Sequence, residues 1–179
     1  HKLNFRNWPG IIDAAKELQL RQISFLPADV SSAAFNREMK WHTERQEEVM
    51  LSEEELPLLK TMLEQLFTTY RKEFEERFIA ESPARLFNIY SYYAALHGLN
   101  DFPFKKCNAP WVSAVVETDG SVRPCFFHES IGNIRQSKLE ELLNSGSSVY
   151  FRKTLDLEKN DTCKKCVCYP NLSPATDPA

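Results

Sequence analysis

The residues most able to do chemistry in this chain are its cysteines. All five lie between Cys107 and Cys168, and the first 106 residues contain none. Cys107 is followed by twelve residues and Gly120, then by four residues and Cys125. After 37 more residues comes Cys163-Lys164-Lys165-Cys166, and Cys168 stands two positions further on. A two-residue gap lets two thiolates point at one centre from a tight turn. A hairpin at Asp119-Gly120 would bring two further sulfurs to it from a distant part of the chain. Four thiolates at one point suit tetrahedral Zn²⁺ or an iron–sulfur cluster, since both favour soft sulfur ligands. Burying four thiolates without a compensating metal charge is costly, so binding and local folding should be coupled.

Other uses of cysteine fit less well. Disulfides need an oxidising compartment, but the count is odd and the N-terminus shows no secretory pattern. Unliganded cysteines pack as small hydrophobes, yet these five are gathered in the last part of the chain. Ligand type alone does not separate a structural zinc site from an iron–sulfur cluster, and both readings stand on spacing.

The elements that must position these residues follow from patterning. Asn7-Trp8-Pro9 opens a helix, with Ile11, Ile12, Ala15 and Leu18 on one face. Gln22 to Leu26 alternates polar and apolar residues before Pro27 and reads as a short strand. A helix feeding a strand is half of a repeating βα unit. Residues 27–51 lack a period and are longer than an ordinary connection, so His42 and Glu44 there are candidates for reaching a substrate on loop length alone. Ser52 and Glu55 have capping-box spacing, while Pro57 favours a helix start near Leu56. Leu59, Met62, Leu63, Leu66, Phe67, Tyr70, Phe74 and Phe78 form the stripe of one long helix, with a charged outer face from Arg71 to Arg77. A further helix runs from about Pro83 to His97, burying Leu86, Ile89, Tyr90, Tyr93 and Leu96, and stops at Gly98.

After residue 100 the character changes. Trp111–Val116 and Ser121–Cys125 read as strands joined at Asp119-Gly120, a strong hairpin signal. A two-residue turn sets Thr118 opposite Ser121 and Ala114 opposite Cys125. Pro124 ends the second strand or marks an edge. Gly132-Asn133-Ile134 reads as a turn, Leu139–Leu143 as a short helix and Val149–Leu157 as another. Trp111, Phe126 and Phe127 read as packing around the hairpin.

Composition bounds the rest. A chain of 179 residues, 42% hydrophobic and 26% charged, can bury a real core and is neither disordered nor collagen-like. With 22 basic and 25 acidic residues there is no electrostatic case for nucleic acid. No apolar run approaches the roughly 20 residues of a membrane span, and a cytoplasmic location is expected.

Residues 101–170 resemble the auxiliary-cluster extension at the C-terminus of many radical S-adenosylmethionine enzymes, the SPASM/twitch family. That family's pattern is a Cys, a stretch to a Gly, four residues to a second Cys, and after a gap a Cys-x-x-Cys pair. Here it reads Cys107, Gly120, Cys125, Cys163 and Cys166, set in Cys107-Asn108-Ala109-Pro110-Trp111, Val122-Arg123-Pro124-Cys125 and Gly132-Asn133-Ile134. The only later cysteine is Cys168, which is similar to the shorter twitch version with a single cluster site.

The resemblance implies an α+β chain. Residues 1–100 would be the helix-rich C-terminal portion of a partial (β/α) barrel. Residues 101–170 would be a small cysteine-rich domain with a β-hairpin and short helices, and 171–179 a polar tail. It implies Cys107, Cys125, Cys163 and Cys166 as ligands of one auxiliary 4Fe-4S cluster, with Cys168 ranked fifth. Arg123, Lys164, Lys165 and nearby backbone N–H groups would modulate the cluster, and His128 could donate to it. The implied role is electron transfer during modification of a substrate, a peptide or a small molecule, with an electron donor or acceptor protein as partner. S-adenosylmethionine and a second 4Fe-4S cluster would belong to a full-length enzyme. These residues lack the Cys-x-x-x-Cys-x-x-Cys motif that holds that cluster, and the chain opens on His1. The chain is therefore expected to be a C-terminal portion that is inactive alone. A zinc-binding module with four cysteine ligands, mediating protein contacts, is the alternative, and a stand-alone electron carrier is a third.

Overall fold

The computed structural model describes residues 1–34, 37 and 39–172; residues 173–179 of the expected tail and positions 35, 36 and 38 of the 27–51 connection lie outside them. The chain divides into two compact units. One is His1–Val30 with Trp41–Pro103; the other comprises the described residues of Ser31–Lys40 and those from Phe104 onward.

In the first unit a 3₁₀ turn, Phe5–Asn7, leads into α1 (Trp8–Glu17), with Pro9 in its first turn where a missing N–H costs nothing. Trp8, Ile12 and Ala15 are its buried face. The expected strand at Gln22–Leu26 is reduced to a single parallel bridge, Ile23 with Ile79. Ile23 N–H donates to Phe78 O at 2.8 Å and Ala80 N–H donates to Ile23 O at 2.9 Å. The ladder stops there because the next partner is a side chain: the buried Glu81 carboxylate accepts from Phe25 N–H at 3.1 Å and from Ser24 Oγ at 2.5 Å. A parallel pair joined through helices is what a βα repeat produces, but one bridge does not make a barrel.

Between the bridge partners lie α2 (Thr43–Val49), a 3₁₀ turn (Glu53–Glu55), α3 (Leu56–Thr69) and α4 (Arg71–Glu75). Both readings of the α3 start hold. Ser52 and Glu55 form the capping box on the 3₁₀ turn, and the α-helix begins at Leu56 with Pro57 in its first turn. The single long helix expected from Leu59 to Phe78 is broken at Tyr70. Its phenol is held by α1, donating to Asp13 Oδ1 at 3.0 Å and to Pro9 O at 3.2 Å, and Arg77 then takes a positive φ of 57° before the bridge. Burial and the neighbouring Asp13 carboxylate push the Tyr70 phenol up to about 12.

Helix α5 (Pro83–Leu96) starts on a Ser82 cap and is followed by Gly98, at φ +74°. It packs on α3, and Leu59, Leu63, Leu66, Leu86, Ile89, Tyr92 and Tyr93 close the core. Each such side chain contributes roughly 1.5–3 kcal/mol by leaving water. Tyr90 and Leu96 are only half-buried, and Tyr92 takes the place expected of Tyr90.

The second unit begins with α6 (Ala109–Val112), so the strand expected over Trp111–Val116 survives only as β1 (Val115–Val116). Pro110 and the Asn108 turn favour a helical start, and Trp111 and Phe126 are exposed rather than packed, with Phe127 half-buried. β2 (Ser121–Arg123) pairs antiparallel with β1, and β3 (Gly132–Asn133), expected as a turn, pairs with the other side of β2. β2 ends where Pro124 begins. Three helices complete the unit: α7 (Leu139–Leu143), α8 (Gly146–Thr154, starting on a Ser145 cap and ending before the expected Leu157) and α9 (Asp161–Lys164). No helix among the described residues is long and apolar enough to cross a membrane.

Candidate metal centre

The hairpin register is set one residue away from the expected one. Val115 pairs with Arg123 and Val116 with Val122, so Glu117, not Thr118, faces Ser121, and the count no longer sets Ala114 against Cys125. Gly120 N–H donates to Glu117 O at 2.9 Å, and Glu117 N–H donates to Ser121 O at 2.8 Å. The loop is thus three residues long, a turn closed by a left-handed Gly120 at φ +88°. Asp119 selects it by accepting from Ser121 N–H at 2.8 Å and from Ser121 Oγ at 2.9 Å. Only one residue of the loop needs positive φ, and it is the glycine.

The hairpin delivers Cys125 two residues beyond β2. The backbone N–H groups of Phe127 and His128 hydrogen-bond its sulfur, and Arg123 Nη1 closes the same turn by donating to His128 O at 2.9 Å. Cys163 sits in α9, its N–H capped by Asn160 Oδ1 at 3.0 Å. Cys166 follows in a turn closed by its N–H on Cys163 O at 3.2 Å, and its Sγ donates to Cys168 O at 2.8 Å. Cys107 is tied to the C-terminal segment by its neighbour. Asn108 accepts from Leu172 N–H at 2.9 Å and donates from Nδ2 to Leu172 O at 2.7 Å, and its own N–H donates to Pro170 O at 3.1 Å.

Cys125, Cys163 and Cys166 each feel two other sulfurs. Burial pushes the Cys125 thiol up, and the nearby Cys107 and Cys168 add to it. Burial also pushes Cys163 up to about 12, reinforced by Cys125 and Cys107, and Cys166 up to about 12, reinforced by Cys168 and Cys107. All five cysteines are half-buried and none forms a disulfide. Thiols in this setting hold their protons at neutral pH, and thiolates become favourable only against added positive charge.

His128 reaches the same place. Its Nε2 is 3.4 Å from Cys163 Sγ, and its ring meets Phe151 edge-on at 4.8 Å. Burial lowers the imidazole pKa, which favours the neutral ring. Of the basic residues expected to modulate the centre, Arg123 forms an ion pair with Glu117, Nε to Oε1 at 3.3 Å, and supports the hairpin. Lys164 is exposed and Lys165 half-buried. The buried cation of the unit is one that the sequence reading passed over, Lys105. It is 8% exposed, and its Nζ donates to Lys164 O at 2.8 Å and Cys166 O at 2.6 Å. The available signal was its position two residues before Cys107. His42 and Glu44 lie exposed in the first unit, whereas all five cysteines belong to the second.

The donor set fits an iron–sulfur cluster in its chemistry: soft sulfurs, N–H donors on Cys125, and a buried cation beside Cys163 and Cys166. Among the described residues no three His, Cys, Asp or Glu side chains are gathered so as to hold a single metal ion. A cluster presents a separate iron to each thiolate, so its ligands stand around a larger body.

Comparison with known proteins bears on the same stretch. Residues 107–167 match the family model of SPASM, described as an iron-sulfur cluster-binding domain. The matched segment runs from the first cysteine through the Cys-x-x-Cys turn. No curated protein and no solved structure matches the chain. The family match supports iron–sulfur binding and lends no support to the zinc alternative.

Proposed function

We propose, from the SPASM domain that this chain carries at residues 107–167, that the second unit binds one auxiliary 4Fe-4S cluster through Cys107, Cys125, Cys163 and Cys166. The observation that supports this best is that the matched segment runs from Cys107 through the Cys163–Cys166 turn, with all four cysteines half-buried in the second unit. When bound, the cluster supplies a one-electron carrier. The chain's own residues shape its surroundings: Phe127 and His128 N–H groups favour the Cys125 thiolate, His128 Nε2 approaches Cys163 Sγ, and the hairpin and Asn108 hold the two upstream cysteines. Cys168 stands outside this set of four, and its carbonyl accepts from Cys166 Sγ. Set in a radical S-adenosylmethionine enzyme, this unit would take or pass an electron during modification of a substrate, of which a peptide is the favoured class. Its partners there would be the substrate and an electron donor or acceptor protein.

The test is anaerobic reconstitution of the full chain with iron and sulfide. Four iron and four sulfide per chain are expected for a single 4Fe-4S cluster, with visible absorption that bleaches on reduction. Alanine at any of the four ligands should abolish or sharply lower loading, while Cys168→Ala should load like wild type. Loading that fails in wild type, or survives Cys107→Ala unchanged, overturns the assignment.

A further inference from the structure

Lys105 is a long, cationic side chain placed almost wholly inside the second unit, where a charge is expensive unless something of opposite sign is near. Its Nζ bonds two carbonyls of the Cys-x-x-Cys turn, those of Lys164 and Cys166, and it lies 5.7 Å from the centre of the Tyr169 ring. The turn it bonds carries Cys163 and Cys166; burial lowers the ammonium to about 8, and those two cysteines oppose the shift. A carbonyl-bonding role alone does not require an ammonium, because an amide would serve and would cost less to bury.

We infer that Lys105 is a positioning residue that supplies positive charge at the Cys163–Cys166 turn, holding the cluster and raising its reduction potential. The inference rests on the cluster reading above and goes beyond its four ligands. The physical basis is simple. Reduction adds one negative charge to an already anionic centre, and a buried cation that water does not screen stabilises the reduced form more than the oxidised one. Bonding the two carbonyls also orders the turn before iron arrives, so less conformational freedom is lost on loading.

Two substitutions separate charge from hydrogen bonding. Lys105→Arg keeps charge and donors; Lys105→Gln keeps donors and removes charge. Each full-length variant is reconstituted anaerobically beside wild type. Iron and sulfide are counted, iron release to a chelator is timed, and the midpoint potential is read by redox titration followed by EPR. Lys105→Gln should titrate at a lower potential and release iron faster, with Lys105→Arg restored toward wild type on both. If Lys105→Gln does not load and Lys105→Arg does, the charge is needed for loading and the inference stands. If both load with wild-type potentials, or neither loads, packing rather than charge governs the position and the inference falls. Wild-type chain that takes up no iron and sulfide would overturn the cluster reading itself, and this inference with it.

Discussion

Gly120 offers the sharpest test of how the hairpin serves the centre. Its φ of +88° costs an L-residue roughly 1–2 kcal/mol. An alanine Cβ there would also stand 2.6 Å from Asn133 Oδ1 and 3.2 Å from Arg135 Cγ. Asn133 has little room to yield. Its Oδ1 accepts from Arg135 N–H at 2.9 Å, its Nδ2 donates to Asp119 O at 3.0 Å, and its backbone is paired with Ser121. Losing those two side-chain hydrogen bonds costs about 0.5–1.5 kcal/mol each. Together with the backbone strain, Gly120→Ala should destabilise the second unit by about 2–5 kcal/mol. Gly146 is the control, because a Cβ there meets nothing within 4 Å and φ is not positive. Gly146→Ala should be neutral or stabilising by up to about 1 kcal/mol. The assay is urea unfolding of the anaerobically loaded chain, followed by cluster absorbance, with the rate of iron release as a second readout. A Gly120→Ala chain within about 1 kcal/mol of wild type, releasing iron at the same rate, would refute the argument that this glycine sets the register.

Two further predictions follow from the same geometry. In the metal-free chain Cys163 and Cys166 are pushed up to about 12, above the ordinary thiol range near 8.5. The folded state then keeps protons that the unfolded state has lost, so these thiols should erode stability as pH rises from about 9 towards 12. Iodoacetamide should modify them slowly at about pH 8 and faster above about pH 10, as mass spectrometry would show; alkylation at the lower pH as fast as in an unfolded peptide would contradict the electrostatics. His128→Phe keeps the contact with Phe151 and removes the nitrogen 3.4 Å from Cys163 Sγ. It should leave iron content near wild type and lower the midpoint potential, because an N–H on a ligand sulfur favours the reduced centre. An unchanged potential would make His128 a packing residue only.

The sequence by itself determined the elements whose signals are local. The α1 start at Trp8-Pro9, the Ser52–Glu55 capping box, the Leu56 start of α3 and the Gly98 stop of α5 each depend on a few neighbouring residues, and each was legible. The cysteine spacing was legible for the same reason, since ligands from a tight turn and a hairpin leave a pattern in the chain. Tertiary structure decided what depends on distant partners. The long stripe from Leu59 to Phe78 breaks at Tyr70 because Asp13 and Pro9, on another helix, hold its phenol. The Gln22–Leu26 strand shrinks to one bridge because the Glu81 side chain takes the next hydrogen bonds. The hairpin slipped by one residue because Asp119 bonds forward to Ser121 and leaves positive φ to Gly120 alone. Lys105 carried no signal beyond its place two residues before Cys107, for a comparable reason. A lysine reads as surface in any sequence window, and only the fold, by laying the Cys163–Cys166 turn across its ammonium, makes it part of the centre.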